Sequence, residues 1–391
     1  MSSVDCLIIG GGMVGATTAI ALADLGLKVV LVEAKPAEPF SQEQPFDLRV
    51  SAISLGSIAL LQQYQIWPQI KQWRSCEYKH LGVWEDEFAY AQFSSDEIDQ
   101  PYLGHIVENR LLQLSAWQQL ENRDNVELVC PAMLQSIEQD AHSITAILAE
   151  RKITAKLLIG ADGANSKVRQ LANIGITGWD YQQSAMLINV KTESAQQDIT
   201  WQQFRPTGPV AFLPMPGHHG SLVWYHQREH IKYLSSLSNT RLADEIMACF
   251  PEKLGPIEVL NKAPFSLTRR HANQYTKGRV VLLGDSAHTI NPLAGQGVNL
   301  GFKDVKEFID CINEAISEGV AFDSPQVLDT YERRRRKDNL LMMSAMDALY
   351  AGFSRDFGPL KLVRNLGLFV AHRSGLLKRK ALAYACGVDR H

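Results

Sequence analysis

A short apolar run, Val4 to Ile9, is followed by Gly10-Gly11-Gly12, then by Met13, Ala16, Ile20, Ala23 and Leu27 at helical spacing, and then by Val29-Val30-Leu31-Val32. A helical period between two short apolar runs predicts strand, helix, strand. Helical spacing is expected again from Val50 to Ile70. From Cys76 to Tyr102 aromatic and polar positions alternate (Val83, Trp84, Phe88, Tyr90, Phe93), which predicts a small antiparallel excursion. Leu111, Leu112, Leu114 and Trp117 return to the helical period. Val126–Val129, Ser143–Leu148 and Leu157–Ile159 read as strands, the last running into Gly160-Ala161-Asp162-Gly163. Four more short strand-like runs, Ala185–Val190, Trp201–Phe204, Val210–Pro214 and Ser221–His226, the last three separated by Gly/Pro turns, predict a second sheet. Arg279–Leu283 is a further strand that ends in Gly284-Asp285, and beyond Asn299 the pattern is helical to the end.

This order predicts an α/β fold: a Rossmann-like domain interrupted by a mainly antiparallel β-sheet domain, with a helical C-terminal tail. The expected division assigns residues 1–72, 104–180 and 273–330 to the first domain. Residues 73–103 and 181–272 go to the second, and 331–391 to the tail.

The 391 residues, 46% hydrophobic and 21% charged, suffice for a large core and more than one domain. A formal net charge of −3 leaves no polyanion footprint, so nucleic acid is not an expected partner. The six cysteines lie more than 50 residues apart, which excludes C-x-x-C redox or zinc spacing and fits scattered thiols in a reducing compartment. The apolar start lacks a basic leading region and is interrupted by Asp5, the glycines, Asp24 and Lys28, so neither a signal peptide nor a membrane span is expected. Cytoplasmic localisation follows, with peripheral membrane attachment as the most that the pattern supports.

The glycines fall as Gly10-x-Gly12-x-x-Gly15 at the first strand-to-helix turn, and Glu33 ends the next strand 18 residues after Gly15. Gly10 permits a tight turn, Gly12 lets a pyrophosphate reach the backbone, and Gly15 brings helix and strand together, while Glu33 can accept from a ribose. The helix N-terminus offers N–H groups and positive potential to phosphate. A tight turn without a ligand is the bland alternative. Two more Gly/Asp segments end predicted strands: Ala161-Asp162-Gly163-Ala164-Asn165-Ser166-x-x-Arg169 and Leu283-Gly284-Asp285-Ser286-Ala287-His288. Alone, each is what a capped turn would contain.

With Asn291-Pro292-Leu293-Ala294-Gly295-Gln296-Gly297-Val298-Asn299-Leu300-Gly301-x-x-Asp304, the whole order resembles the single-component flavin aromatic hydroxylases of the para-hydroxybenzoate hydroxylase fold. Within them it resembles the ubiquinone-biosynthesis branch, through Val50–Ser54, Thr200–Phe204, Thr289–Pro292 and Tyr350–Ser354. The resemblance spans essentially the whole chain. It implies an FAD-dependent monooxygenase that hydroxylates a polyprenyl benzoquinol through a flavin C4a-hydroperoxide, with NAD(P)H as transient reductant and O2 as co-substrate. Two alternatives stay open: a flavoprotein reductase or dehydrogenase without oxygen insertion, and a flavin-bearing assembly subunit of a quinone-biosynthesis complex.

The same resemblance implies residue roles. Gly10, Gly12, Gly15 and Glu33 would hold the ADP half of FAD. Arg49 and Arg110 stand where the family has basic residues near the phosphates and ribityl chain, with a surface ion pair as the alternative. Asp285 matches the acid at the ribityl hydroxyls, and Asp162-Gly163 a segment tied to the flavin pyrophosphate and nicotinamide nucleotide. Gly295, Gln296, Gly297, Val298 and Asn299 would lie under the isoalloxazine, the N–H groups of Val298 and Asn299 stabilising negative charge on the reduced ring. The carbonyl of Pro292 would face the substrate, and His288 would relay a proton or simply pack at its strand end. Phe212, Pro214, Trp224 and Tyr225 are the candidate pocket walls, against core packing.

No catalytic triad or paired carboxylates stand out, which agrees with chemistry carried by a cofactor. His226-Gln227-Arg228-Glu229-His230 fits H-x-x-E-H, but the first His ends a predicted strand and no third ligand is evident, so no metal is expected. Gly284-Asp285-Ser286 has His288 where a nucleophile elbow needs Gly, and the W-x-W-x-I-P signature of flavin halogenases is absent. From Lys361 on, Lys361, Arg364, Arg373, Lys378, Arg379, Lys380 and Arg390 stand against Asp389 alone, interleaved with Leu362, Val363, Leu366, Leu368, Phe369, Val370, Leu376 and Leu377. That pattern suits a solvated helix face, or contact with the inner-membrane surface or other ubiquinone-biosynthesis proteins.

Overall fold

The computed structural model describes residues 3–86, 89–290, 296–353 and 375–388. The apolar runs that opened the sequence form a parallel sheet with Ser3–Ile9 at its centre, flanked by Val29–Val32 and Lys152–Gly160. Val126–Val129 and Val280–Leu282 extend it in parallel on either side. The chain therefore runs one way from the central strand through Val29–Val32 and Val126–Val129, then returns to its other side. That reversal makes a switch point beside Ser3–Ile9, where open α/β sheets bind ligands at the carboxyl ends of their strands.

The inner strands are largely buried on both faces, and Leu7, Ile8, Leu31 and Leu158 are fully enclosed, as expected for near-continuous apolar runs in a parallel sheet, whereas the edge strand Val126–Val129 leaves Glu127 and Leu128 exposed. Each such side chain contributes about 1.5–3 kcal/mol through burial. The helices Met13–Asp24 and Asn109–Leu120 pack together over this sheet.

The second sheet has eight strands and interrupts the first, as the sequence predicts. Its longest members, Ile176–Thr192 and Ile257–Ala272, pair along most of their lengths. Ile257–Ala272 is not among the strands expected from the sequence, although Ile257, Val259, Ala263, Phe265 and Leu267 alternate there with Glu258, Lys262, Ser266 and Thr268. One face of this sheet is covered by the helices Arg228–Ser236 and Asn239–Cys249. A third, three-stranded sheet contains Val50–Ser54, Gly104–Glu108 and Cys76–Tyr78.

Val50–Ser54 corrects an expectation, because the helix anticipated over Val50–Ile70 is a strand followed by the helices Leu55–Gln63 and Trp67–Trp73. The pairing of Val50 with Glu108 and Ser54 with Gly104 decides it, a long-range contact that overrides local spacing. Among the described residues no helix is long and apolar enough to cross a membrane.

Candidate functional site

The register of the parallel sheet sets Ile9 beside both Gly160 and Val32, and Gly160 beside Leu282. The glycine turn, Glu33, Asp162-Gly163 and Gly284-Asp285 therefore leave the sheet at one carboxyl edge. The three glycines of the turn answer different demands. Gly10 has φ of +105°, and a Cβ there would lie 2.3 Å from the Ala161 carbonyl oxygen. At Gly15 a Cβ would lie 1.9 Å from the Gly10 carbonyl oxygen. Gly12 has an ordinary φ of −67°, and a Cβ on it meets nothing within 4 Å. Nothing in the chain itself requires glycine at 12. It caps the helix Met13–Asp24, whose first turn has neither a side-chain cap nor an acid, so unsatisfied N–H groups and the positive helix end face open space. That is the arrangement a phosphate needs.

Gly11 is held from three sides. Its N–H donates to Glu33 Oε2 at 2.6 Å, and its carbonyl accepts from Trp117 Nε1 at 2.7 Å and Gln113 Nε2 at 3.0 Å. Gln113 and Trp117 are one turn apart on the helix Asn109–Leu120, a spacing that was the only signal of their joint role. Arg110 makes a two-pronged pair with Asp47, both bonds at 2.9 Å, and also donates to the carbonyls of Glu38 and Pro39. It pins the segment 38–47, the ion-pair alternative. Arg49 is exposed, and its charge draws down the carboxyl of Asp285.

Asp162 accepts from the N–H groups of Lys167 at 2.6 Å and Val168 at 3.1 Å through Oδ2, while its buried Oδ1 has no partner. Burial raises its carboxyl above the ordinary range. Solvent reaches Asp285, yet desolvation by the surrounding protein raises its carboxyl against the pull of His288 and Arg49. A group both reachable and partly desolvated lies in a cleft. An open Gly12, an orphaned Asp162 oxygen and a cleft-bound Asp285 along one sheet edge fit a dinucleotide.

His288 is buried, its Nε2 lying 2.5 Å from Asp304 Oδ2. Burial alone would raise Asp304, but the charges and hydrogen bonds of His288 and Arg335 outweigh it and hold the carboxyl well below the usual range. Pro292 and Gly295 lie outside the described residues. Gln296 opens the helix Gln296–Ser317, with Gly297, Val298 and Asn299 in its first turn. The Asn299 side chain accepts from the Ser54 N–H at 3.0 Å and the Ser57 hydroxyl at 2.8 Å, and donates to the Ala52 carbonyl at 2.9 Å. It ties the helix start to the strand Val50–Ser54.

The four aromatic and proline candidates do not share a wall. Trp224 and Tyr225 are consecutive in one strand, so they point to opposite faces. Trp224 and Phe212 lie on the face covered by helices, Phe212 stacked on Trp201 and Trp224 edge-on to Phe250. Pro214, two residues from Phe212, shares that side by alternation. Tyr225 alone is on the other face, with Ala185 and Leu267. Cross-strand pairing adds Leu187, Ala211, Leu213, Val223 and Phe265 to that face, all of them half-buried. There Asn189 donates to the carbonyls of Phe46 and Asp47, joining this face to the nucleotide-binding half. Phe212, Pro214 and Trp224 thus pack in the core, and the half-buried apolar row lies on the opposite face with Tyr225.

A separate cavity of about 530 Å3 lies beyond Asp162-Gly163, lined by Asn165, Arg169, Gln170, Ile176, Trp179 and Arg270 among others. Arg270 donates to Asn165 Oδ1 at 2.9 Å, and Arg169 braces the wall through the carbonyls of Ser286 and Ala164. Trp179 and Ile176 are large apolar side chains left exposed here.

Of the tail cations, one is taken into the fold and a second is paired at the surface but stays exposed. Lys378 is buried, pairs with Glu97 at 2.7 Å and lies over the Phe93 ring, and Arg379 pairs with Asp99. Lys380 is exposed. Arg373 and the basic residues from Lys361 to Arg364 fall outside the described residues, as does Arg390. His226 and His230 lie with ring centroids 3.9 Å apart. Among the described residues no three potential ligands gather around a metal position.

The family model described as FAD binding domain matches residues 3–344. The chain is 46% identical over 385 residues to the 3-demethoxyubiquinol 3-hydroxylase of Escherichia coli (strain K12), covering 98% of each. It is 32% identical to the mitochondrial ubiquinone biosynthesis monooxygenase COQ6 of Rattus norvegicus, covering 98% of this chain and 91% of that one. The p-nitrophenol 4-monooxygenase PnpA from Pseudomonas putida DLL-E4 shares the fold, with a TM-score of 0.81 at 20% identity and full coverage of both chains.

Proposed function

The chain belongs to the FAD binding domain family, and from that premise we infer that it is an FAD-dependent monooxygenase that hydroxylates the ring of a polyprenyl benzoquinol in ubiquinone biosynthesis. The observation that carries the cofactor in this reading is Gly12, a glycine that the protein's own packing does not need, at an uncapped helix end on the sheet's switch-point edge, while the quinol reaction follows the named relatives. Bound FAD supplies the electron and oxygen chemistry. Gly10, Gly12 and Gly15 shape the backbone against its diphosphate, and Glu33 accepts from the adenosine ribose. Asp285 takes the ribityl hydroxyls, and Arg49 offsets phosphate charge. Arg110 acts at one remove by fixing the segment that leads to Arg49. Gln296, Gly297, Val298 and Asn299, in the first turn of their helix, would offer backbone N–H groups to the flavin.

The half-buried row of Leu187, Ala211, Leu213, Val223 and Phe265, with Tyr225, suits an apolar ring and excludes water from it. The quinol's own hydroxyls activate its ring, so orientation is the main demand on these residues. NAD(P)H visits the cavity of Asn165, Arg169, Trp179 and Arg270, where a guanidinium faces phosphate and the indole offers a flat surface for a base; O2 is the co-substrate. His288 serves first as a buried partner of Asp304. Attachment to the inner membrane or to other ubiquinone-biosynthesis proteins through the tail would draw on the exposed Arg379 and Lys380, not on Lys378, which is buried against Glu97. The reading is tested by whether the purified protein carries FAD and oxidises NAD(P)H only when both O2 and a demethoxy quinol are supplied. Sustained NAD(P)H oxidation without O2 when the corresponding quinone is supplied as electron acceptor, with no oxygen gained by the ring, would return it to a dehydrogenase.

A further inference from the structure

On the side of Gly284-Asp285 away from solvent lies the carboxylate of Asp304, fully buried. All four of its acceptor positions are used. Oδ2 accepts from the Gly284 N–H at 2.9 Å and meets His288 Nε2 at 2.5 Å. Oδ1 accepts from Arg335 Nε at 2.8 Å and Asn339 Nδ2 at 3.1 Å.

Gly284 and His288 are the two ends of the turn whose second residue is Asp285. One carboxylate oxygen therefore holds both ends of the segment that presents Asp285 to the cleft. Gly284 has φ of +59° and opens a short helical turn, Gly284–Ser286, whose far end is held separately, at the Ser286 hydroxyl by Gly160 and Leu283 and at its carbonyl by Arg169, so that Asp304 is what fixes the Gly284 end and His288.

The other oxygen is fixed from the helix Pro325–Phe353. Arg335 reaches Asp338 at 2.6 Å and Asn339 at 2.6 Å, and Asp338 accepts from Tyr384 of the helix Leu376–Cys386 at 2.5 Å. A buried carboxylate is tolerable only when its charge and lone pairs are met. Here they are met in a geometry that leaves it one orientation. We propose that Asp304 is a positioning residue for the cofactor, setting the turn that carries Asp285, with Arg335 setting Asp304.

This inference rests on the reading of Asp285 as an FAD ligand, and a double-mutant cycle separates the two. FAD dissociation is measured on the purified holoprotein by ultrafiltration over a dilution series, for the native chain, Asp304→Asn, Asp285→Ala and the double variant. The amide of Asn turns a donor toward the Gly284 N–H or toward Arg335, so Asp304→Asn should weaken FAD binding about tenfold, equivalent to about 1.4 kcal/mol. In the Asp285→Ala background the same change should cost less than about twofold, since the group it positions is gone.

Equal factors in both backgrounds would show that Asp304 supports the fold only, and would overturn the inference while leaving Asp285 as a ligand. Native FAD retention by Asp285→Ala would overturn both. Arg335→Lys, which keeps the charge but cannot bond Asp304, Asp338 and Asn339 at once as the guanidinium does, is carried through the same cycle. It is expected to give the same non-additive pattern should Asp304→Asn fail to accumulate as folded protein, and additive factors for it would equally overturn the inference.

Discussion

Gly15 stands so close to Gly10 that a side-chain carbon on it would fall 1.9 Å from the Gly10 carbonyl oxygen, whereas the same atom on Gly12 would touch nothing. One glycine serves the packing of helix on strand and the other serves what binds in front of it. The fingerprint thus divides into a structural part and a ligand-facing part, a division that glycine spacing alone does not reveal.

The two parts should separate experimentally. Gly12→Val should keep the fold, losing about 1 kcal/mol or less at the helix cap, while FAD affinity falls at least about tenfold. Gly15→Ala should fail to accumulate as folded protein, because backbone cannot move aside as a side chain can. Thermal melts beside flavin content check both, and full flavin occupancy in Gly12→Val would refute the assigned cradle.

Acid should weaken the fold through buried imidazoles. Burial, aided by Lys71, lowers His105 to about 4 from an ordinary value of 6.5; burial, with the charges of His288, Arg336 and Arg269, does the same to His271. The unfolded chain therefore takes up these protons first, so stability is complete above about pH 6.5 and declines as pH falls toward 4. At pH 5 His105 alone should account for on the order of 1–2 kcal/mol. In melts from pH 7 to pH 5, the stability gap between the native protein and His105→Gln should narrow by that amount. A constant gap would contradict the assignment.

What could be read from the sequence followed the range of the interactions involved. The parallel sheet and its glycine turn were legible because apolar runs buried on both faces, with a helix of clear period between them, carry their own pattern. Val50–Ser54 was misread as helix because its strand exists only through pairing with Gly104–Glu108. Trp224 and Tyr225 were grouped by chemistry when strand alternation separates them. Lys378 looked like a surface cation because Glu97, its partner, is 281 positions away. Asp304 closed a motif, but its link to Arg335 joins two helices whose packing no local pattern reports.

The nicotinamide nucleotide site can be probed at Arg270, whose guanidinium lines the cavity beside Trp179. Arg270→Ala should raise the KM for NAD(P)H about tenfold, as expected for loss of a charge-assisted contact with phosphate, and leave FAD content and the KM for quinol unchanged. Steady-state kinetics with each substrate varied in turn decides it. An unchanged KM for NAD(P)H would move that nucleotide elsewhere.

The tail helix should depend on Lys378 for stability. Removing the ammonium leaves Glu97 without its partner and strips the stem from the Phe93 ring. Lys378→Ala should lower stability by about 1–3 kcal/mol, and combining it with Glu97→Ala should cost less than the sum of the two single changes. Denaturant melts of the four proteins give the coupling directly. Strict additivity would deny the pair a role in docking the helix.

The central claim is insertion of oxygen into a quinol ring, and the most direct measurement is isotope tracing. The holoprotein is supplied with NAD(P)H and a short-chain demethoxy quinol under 18O2 in ordinary water, and the product is weighed by mass spectrometry. The account predicts one 18O atom per product molecule and NAD(P)H consumption that stops when O2 is removed. Product carrying oxygen from water, or NAD(P)H oxidation that continues without O2 with the corresponding quinone as electron acceptor while no labelled product forms, would contradict it.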